Sequence, residues 1–108
     1  MLARRLKYPT TLAANVTRQV VQIRYGTETF HLKQPIDLEV RSDHGHSIVA
    51  YPALEIEGYG DNDQEALESF ADQFGSTWHA VALASDLELT RDARQLKKRM
   101  LKLVDRVQ

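Results

Sequence analysis

Residues 36–74 read IDLEVRSDHGHSIVAYPALEIEGYGDNDQEALESFADQF. Ile36, Leu38 and Val40 alternate with Asp37, Glu39 and Arg41, the pattern of a strand with one apolar face. Ser42-Asp43-His44-Gly45 makes a turn, and Ile48 to Tyr51 forms a returning strand that stops at Pro52. Leu54 and Ile56 alternate with Glu55 and Glu57, so a further short strand carries its carboxylates outward. Gly58 and Gly60 bracket Tyr59, a spacing that predicts a tight bend needing backbone freedom. Asn62 then serves as an N-cap, with Glu65 three residues on to close a capping box. Asp61 and Asp63 suit the positive end of the same helix. Leu67, Phe70, Phe74, Trp78 and Val81 fall on one helical face. Gly75 interrupts this helix at a cost of about 1 kcal/mol against alanine, which points to a bend or a close contact there.

Upstream, Val21, Ile23 and Tyr25 alternate with Gln22 and Arg24, Gly26-Thr27 is a turn, and Phe30 and Leu32 continue in a return strand. Pro35 separates that strand from the next, because proline has no N–H to give to a ladder. Downstream, Ser85 with Glu88 offers a second capping box and Thr90 a competing cap. Leu89, Ala93, Leu96, Met100, Leu103 and Val107 then form a heptad-like stripe. That stripe packs on the core or forms a short dimer seam.

The expected fold class is therefore α+β, a small, mainly antiparallel sheet in β-β-β-β-β-α-α order packed on one or two C-terminal helices. The 108 residues form one domain: a basic arm over 1–19, sheet over 20–60, a helix over 61–84 and a basic amphipathic helix over 85–108. The predicted inward set is Val21, Ile23, Leu38, Val40, Ile48, Leu54 and Ile56, with Leu67, Phe70, Phe74 and Trp78.

The net charge of −1 conceals a segregation. Residues 1–24 hold five bases and no acid, residues 25–90 two bases against thirteen acids, and residues 91–108 seven bases and two acids. An acidic middle between basic ends suits a body that meets a basic partner and ends that meet a polyanion, unless the ends fold back and neutralise it. There is no cysteine, hence no disulfide framework and no thiolate chemistry. No apolar run is long enough for a signal peptide or a bilayer span, so the expected location is the cytoplasm and no membrane partner is expected.

Catalytic and metal chemistry is not indicated. His44 and His46 stand two apart with Asp43 adjacent and His31 on a nearby strand, but a site needs a third ligand and supporting groups. Asp61, Asp63 and Glu65 resemble the start of a calcium loop, yet Ala66 and Asp72 occupy the places of its glycine and closing glutamate. Gly58-Tyr59-Gly60 lacks the third glycine and lysine of a phosphate loop. The expectation is a non-enzyme with no cofactor and no metal. Glu55, Glu57, Asp61 and Asp63 are the candidate partner-binding residues, where a strand hands over to a helix. Arg4, Arg5 and Lys7, with Arg91, Arg94, Lys98 and Lys102 on one side of the last helix, are the candidates for contact with nucleic-acid phosphates.

The strand IDLEVR, the strand HSIVAYPAL, the bend EGYGD and the helix opening DQEALESF together resemble the HicB-type antitoxins. The similarity covers about residues 36–74. It implies a small sheet with one or two helices that oligomerises and masks a small, basic, RNA-cleaving toxin without catalysis of its own. It also implies a DNA-binding module after the core, for which only one helix, Leu89 to Val107, is present in this stretch. A homodimer is expected, through a sheet edge or that stripe. The alternatives are a small nucleic-acid-binding regulator, or an oligomeric interaction protein with no toxin partner.

Overall fold

A computed structural model describes residues 16–108. The alternating segments become β1 (Val16–Tyr25), β2 (Glu28–Asp43), β3 (His46–Tyr51) and β4 (Ile56–Gly60). Gly26, at φ 61°, turns β1 into β2, and His44 and Gly45, at φ 52° and 83°, turn β2 into β3. A 3-10 turn, Pro52–Leu54, precedes β4. Then come α1 (Asp63–Thr77), a π-helical turn at Trp78–Ala82, a 3-10 turn at Asp86–Glu88, α2 (Arg91–Leu103) and β5 (Val104–Val107). Every strand pairing is antiparallel, in the order β1-β2-β3-β4, with β5 also on β2. The class is the expected α+β: a five-stranded antiparallel sheet with two helices after the four principal strands. No helix among the described residues is long and apolar enough to cross a membrane.

The fifth strand is supplied differently from the expectation. Residues 28–32 and 36–41 belong to one sixteen-residue strand, β2, which runs through Pro35. β3 pairs only with residues 39–43 of β2, so the same side of β2 is open further upstream. The chain end fills it: α2 stops at Leu103, and Val104–Val107 pair with Phe30–Leu32. The helix expected over 85–108 is thus a short turn, a thirteen-residue helix and a strand. Val104 and Val107 fit a helical stripe and a β ladder equally well, and the vacant edge decides between them. The sheet also starts earlier than expected, since Val16–Gln19, assigned to the arm, lie in β1.

Two predicted inward residues are elsewhere. Val21 is 58% exposed. The β1–β2 register shifts between Val20 and Gln22, where Val21 alone stands against Leu32–Pro35. The side-chain phase flips across it, so Val20 packs toward the core on one side and Ile23 on the other. Ile48 is buried, but it lies on the face away from the helices, and its neighbour Val49 points into the core. Leu54 fills the core from the 3-10 turn, not from a strand, and Leu67 is only partly buried.

The core gathers Ile23, Phe30, Leu38, Val40, Phe70, Phe74, Trp78 and Met100. Phe30 is its centre, edge-on to Phe74 at 5.2 Å and to Trp78 at 5.5 Å between ring centroids. The α2 stripe faces this core: Met100 is buried and Leu96 and Leu103 pack against the cluster, joined by Val104 just after the helix. Of the two readings of the stripe, packing on the core accounts for Leu96, Met100 and Leu103. Thr90 is the cap of α2, accepting from Ala93 N–H at 3.1 Å, and Ser85 caps the preceding turn.

α1 starts at the predicted cap, with the return bond of the capping box made one residue earlier, to Asp61. The Asn62 side chain accepts from Glu65 N–H at 2.9 Å, and Glu65 reaches back to Asp61 N–H at 3.0 Å. Asn62→Ala is expected to cost about 1 kcal/mol of stability, measurable as a shift in the urea midpoint with an unchanged slope. An unshifted midpoint would remove the cap from the account. Gly58 and Gly60 do not form the predicted bend: both lie within β4, neither has a positive φ, and α1 crosses directly above them.

Candidate partner-binding site on β4 and the outer sheet face

The sheet face away from the helices is built by register. Glu39, Ala50 and Glu57 stand side by side on β2, β3 and β4, as do Arg41, Ile48 and Tyr59. The polar side chains connect diagonally above the two apolar ones. Arg41 contacts Glu57 at 3.0 Å and Glu39 at 3.9 Å, and Tyr59 Oη donates to Glu57 Oε1. The hydroxyl of Tyr59 and the guanidinium of Arg41 hold the Glu57 carboxyl below the usual carboxylate range. The same bond raises the Tyr59 phenol above its ordinary value, because losing that proton would set two anions together. This lattice explains how Ile48 and Ala50 are buried with no helix above them.

Beside the lattice an open cleft of about 630 Å³ follows β4, bounded by Arg41, Glu55, Glu57 and Tyr59 and by Ser69 and Gln73 of α1. Of the four candidate acids Glu55 and Glu57 line it, Asp61 and Asp63 lie beyond it, and the four are not equivalent. Glu55 is exposed and held in the left-handed region at φ 57°, an unusual conformation for glutamate that closes the 3-10 turn before β4. Glu57 is occupied by Arg41 and Tyr59. Asp61 is free in the solvent direction, its side chain 82% exposed and 3.3 Å from His46. Asp63 accepts from the buried Ser47 hydroxyl at 2.7 Å, which ties β3 to the start of α1. Glu55 and Asp61 therefore lie at opposite ends of β4, about 20 Å apart by extended-strand geometry. The four acids line a strip and do not form one compact cluster. Glu65 extends the strip onto the start of α1, whereas Glu68 and Asp72 stand over the groove between α1 and β1. Residues 42–90 contain ten acids and no lysine or arginine.

Arg41 and Tyr59 were not singled out in the sequence. The available signal was positional: both occupy outward strand places flanking Glu57, but nothing local says which strands are neighbours.

The basic candidates divide as well. Arg4, Arg5 and Lys7 lie outside the described residues. Arg94 is half-buried and donates to the Leu89 carbonyl at 2.8 Å. Lys97, which the sequence reading passed over, bonds the Ala84 carbonyl and Asp86 at 2.6 and 2.9 Å and holds the Asp86 carboxyl below its usual range. Both side chains brace the turn before α2. Arg91, Lys98 and Lys102 are exposed and have no ion-pair partner among the described residues.

The histidines are dispersed: His44 sits in a turn beside Asp43, His46 faces Asp61, His31 meets Gln108, and His79 contacts Glu28. Among the described residues no group of three His, Cys, Asp or Glu side chains is placed to hold a metal ion. Comparison of the chain with protein-family models, curated proteins and solved structures finds no match in any of the three.

Proposed function

We propose that this chain is a non-catalytic protein-binding module that masks a small, basic, RNA-cleaving partner in the cytoplasm, as HicB-type antitoxins do. The observation that carries the reading is the acidic strip along β4 and the start of α1, within a stretch, residues 42–90, that has no lysine or arginine. A surface of one sign attracts and orients a partner of the other. The β4 cleft offers such a partner a partly apolar bed, with the Arg41–Glu57–Tyr59 lattice as a pre-set polar wall.

The test begins with the gene neighbourhood: a short basic reading frame adjacent to this one is expected, and its product is the partner to use, whereas its absence would count against the reading. Glu55→Lys with Asp61→Lys reverses the two exposed ends of the strip and leaves Glu57 and Asp63, which have structural bonds, in place. The association rate is expected to fall about tenfold with an unchanged circular dichroism spectrum. Suppression of RNA cleavage by the native chain should weaken in parallel. An unchanged association rate in the folded double variant would take the strip out of the argument.

A second reading is favoured by the exposed cations of α2, Arg91, Lys98, Arg99 and Lys102, which have no ion-pair partner among the described residues. In that reading the chain is a nucleic-acid-binding regulator, and binding of a duplex or single-stranded probe by the protein alone would weaken steeply with salt. Replacing Arg91, Lys98 and Lys102 by glutamine would then flatten the salt dependence. Salt-insensitive or absent binding leaves the protein-masking reading.

A further inference from the structure

We infer that the outer edge of β1 is where two copies of this chain join, strand against antiparallel strand about a two-fold axis. The described residues expose three sheet edges, and they are not equally open. β4 is guarded, since Tyr59 N–H already donates to Ser69 Oγ at 3.1 Å and α1 overhangs the strand. β5 has only four residues. β1 has ten, and its outer edge has no partner among the described residues. Val16 and Val21 on it are 60% and 58% exposed. An open edge of that length is a template for another strand.

The groove beside β1 argues that the occupant is a second copy. Val16, Arg18 and Val20 stand opposite Val40, Leu38 and Ile36, so they face the helix side of the sheet. α1 comes closest to β1 at Tyr25, where Gly75 lies against the tyrosine ring, and Val16–Gln19 at the other end of the strand are exposed among the described residues. Between this half and α1 runs a groove of about 330 Å³ with Ile23, Leu38 and Phe70 in its floor and Glu68 and Asp72 on its rim. Arg18 alone would discourage strand addition, because an inward charge on an edge normally blocks it. Its compensation is on the same chain. All charges of β1 are positive, Arg18 and Arg24, and all charges of α1 are negative. A two-fold join keeps both helix faces on one side of a continuous ten-stranded sheet. Each Arg18 then lies in a trough between two α1 helices whose facing rims carry Glu68 and Asp72. The surface is complementary to itself, which is what an isologous interface requires. This inference stands apart from what the acidic strip on β4 binds.

The chain has no cysteine, so single cysteines report contacts cleanly. Thr17→Cys, Gln19→Cys and Val21→Cys place a thiol at three exposed points of β1. Sedimentation should show a dimer for the native protein, and mild oxidation should cross-link at least one of the three, while Gln73→Cys beside β4 stays reduced. Glu68→Lys with Asp72→Lys is expected to weaken the dimer about fivefold, and adding Arg18→Glu should restore it. A native monomer at every concentration would overturn the inference. So would a dimer in which all three β1 cysteines stay reduced, or a loss that Arg18→Glu fails to recover. If the charge variants do not fold, the cysteine series, at exposed sites, still decides.

Discussion

Phe30→Ala is expected to remove about 3–5 kcal/mol of stability, on the scale of deleting a fully enclosed aromatic ring. For a domain of this size that lowers the thermal midpoint by about 20 °C. The ring is wholly buried and is the hub on which β2, α1 and the π turn converge, through its edge-on contacts with Phe74 and Trp78. Its neighbours cannot collapse into the gap easily. Phe30 sits where β2 is held on both sides, by Ile23 of β1 and by Val107 of β5, so the backbone beneath the void is fixed by two ladders. Leu87→Ala is the control: that leucine is 97% exposed, and its loss should stay within about 0.5 kcal/mol. Chemical denaturation of the two variants side by side decides the matter. A Phe30→Ala protein as stable as the Leu87→Ala protein would mean that the core is centred elsewhere.

The contrast between these two residues shows what the sequence could and could not convey. Both are large apolar side chains, and only tertiary placement separates them. Where a residue repeats a period over a long window, as Phe70, Phe74 and Trp78 do, or Leu38 and Val40, burial was legible because one face must be covered. The α1 start was legible for the same reason, since Asn62 and Glu65 act within four residues of each other. Val21 was misread because alternation carries no mark for the place where it slips. Only the mismatch with Leu32–Pro35 on β2 reveals the bulge. The fifth strand was missed because its cause is remote: β3 leaves part of β2 unpaired, and Val104–Val107, some seventy residues away in the chain, supply the missing ladder.

The candidate site was half legible. The segregation of acids into residues 42–90 is a sequence fact and persists as a surface strip. The individual roles are not sequence facts. Glu57 and Asp63 look as free as Glu55 and Asp61 in the chain, yet the first is held by Arg41 and the second by Ser47, each sixteen residues away. Spacing on a strand predicts which way a carboxylate points and is silent about which base reaches it from another strand, here across β3 from β2. For the same reason Arg94 reads as a solvent-facing base and is in fact partly occupied by a loop carbonyl.

Gly58→Ala is expected to destabilise the protein by about 3 kcal/mol through overpacking, although alanine is no poorer than glycine in a strand. A Cβ at this position would lie 2.1 Å from the Phe70 amide nitrogen and 2.4 Å from the Ala66 carbonyl oxygen. Those atoms are helix backbone and cannot rotate away. α1 would have to lift from β4, and lifting it pulls Phe70, Phe74 and Ala66, all fully buried, out of the core together. Gly75→Ala makes the discriminating comparison. Its Cβ would meet the Tyr25 ring at 2.0 Å, an equally short distance, but a ring on a partly buried side chain can turn aside. Alanine also recovers about 1 kcal/mol of helix propensity there. Gly75→Ala should therefore cost clearly less than Gly58→Ala, and its main trace should be a changed environment for Tyr25 and His79, whose rings lie 5.9 Å apart. Urea unfolding followed by Trp78 fluorescence measures both variants. Equal losses, or a Gly58→Ala protein of native stability, would show that α1 rests less closely on β4 than the structure has it.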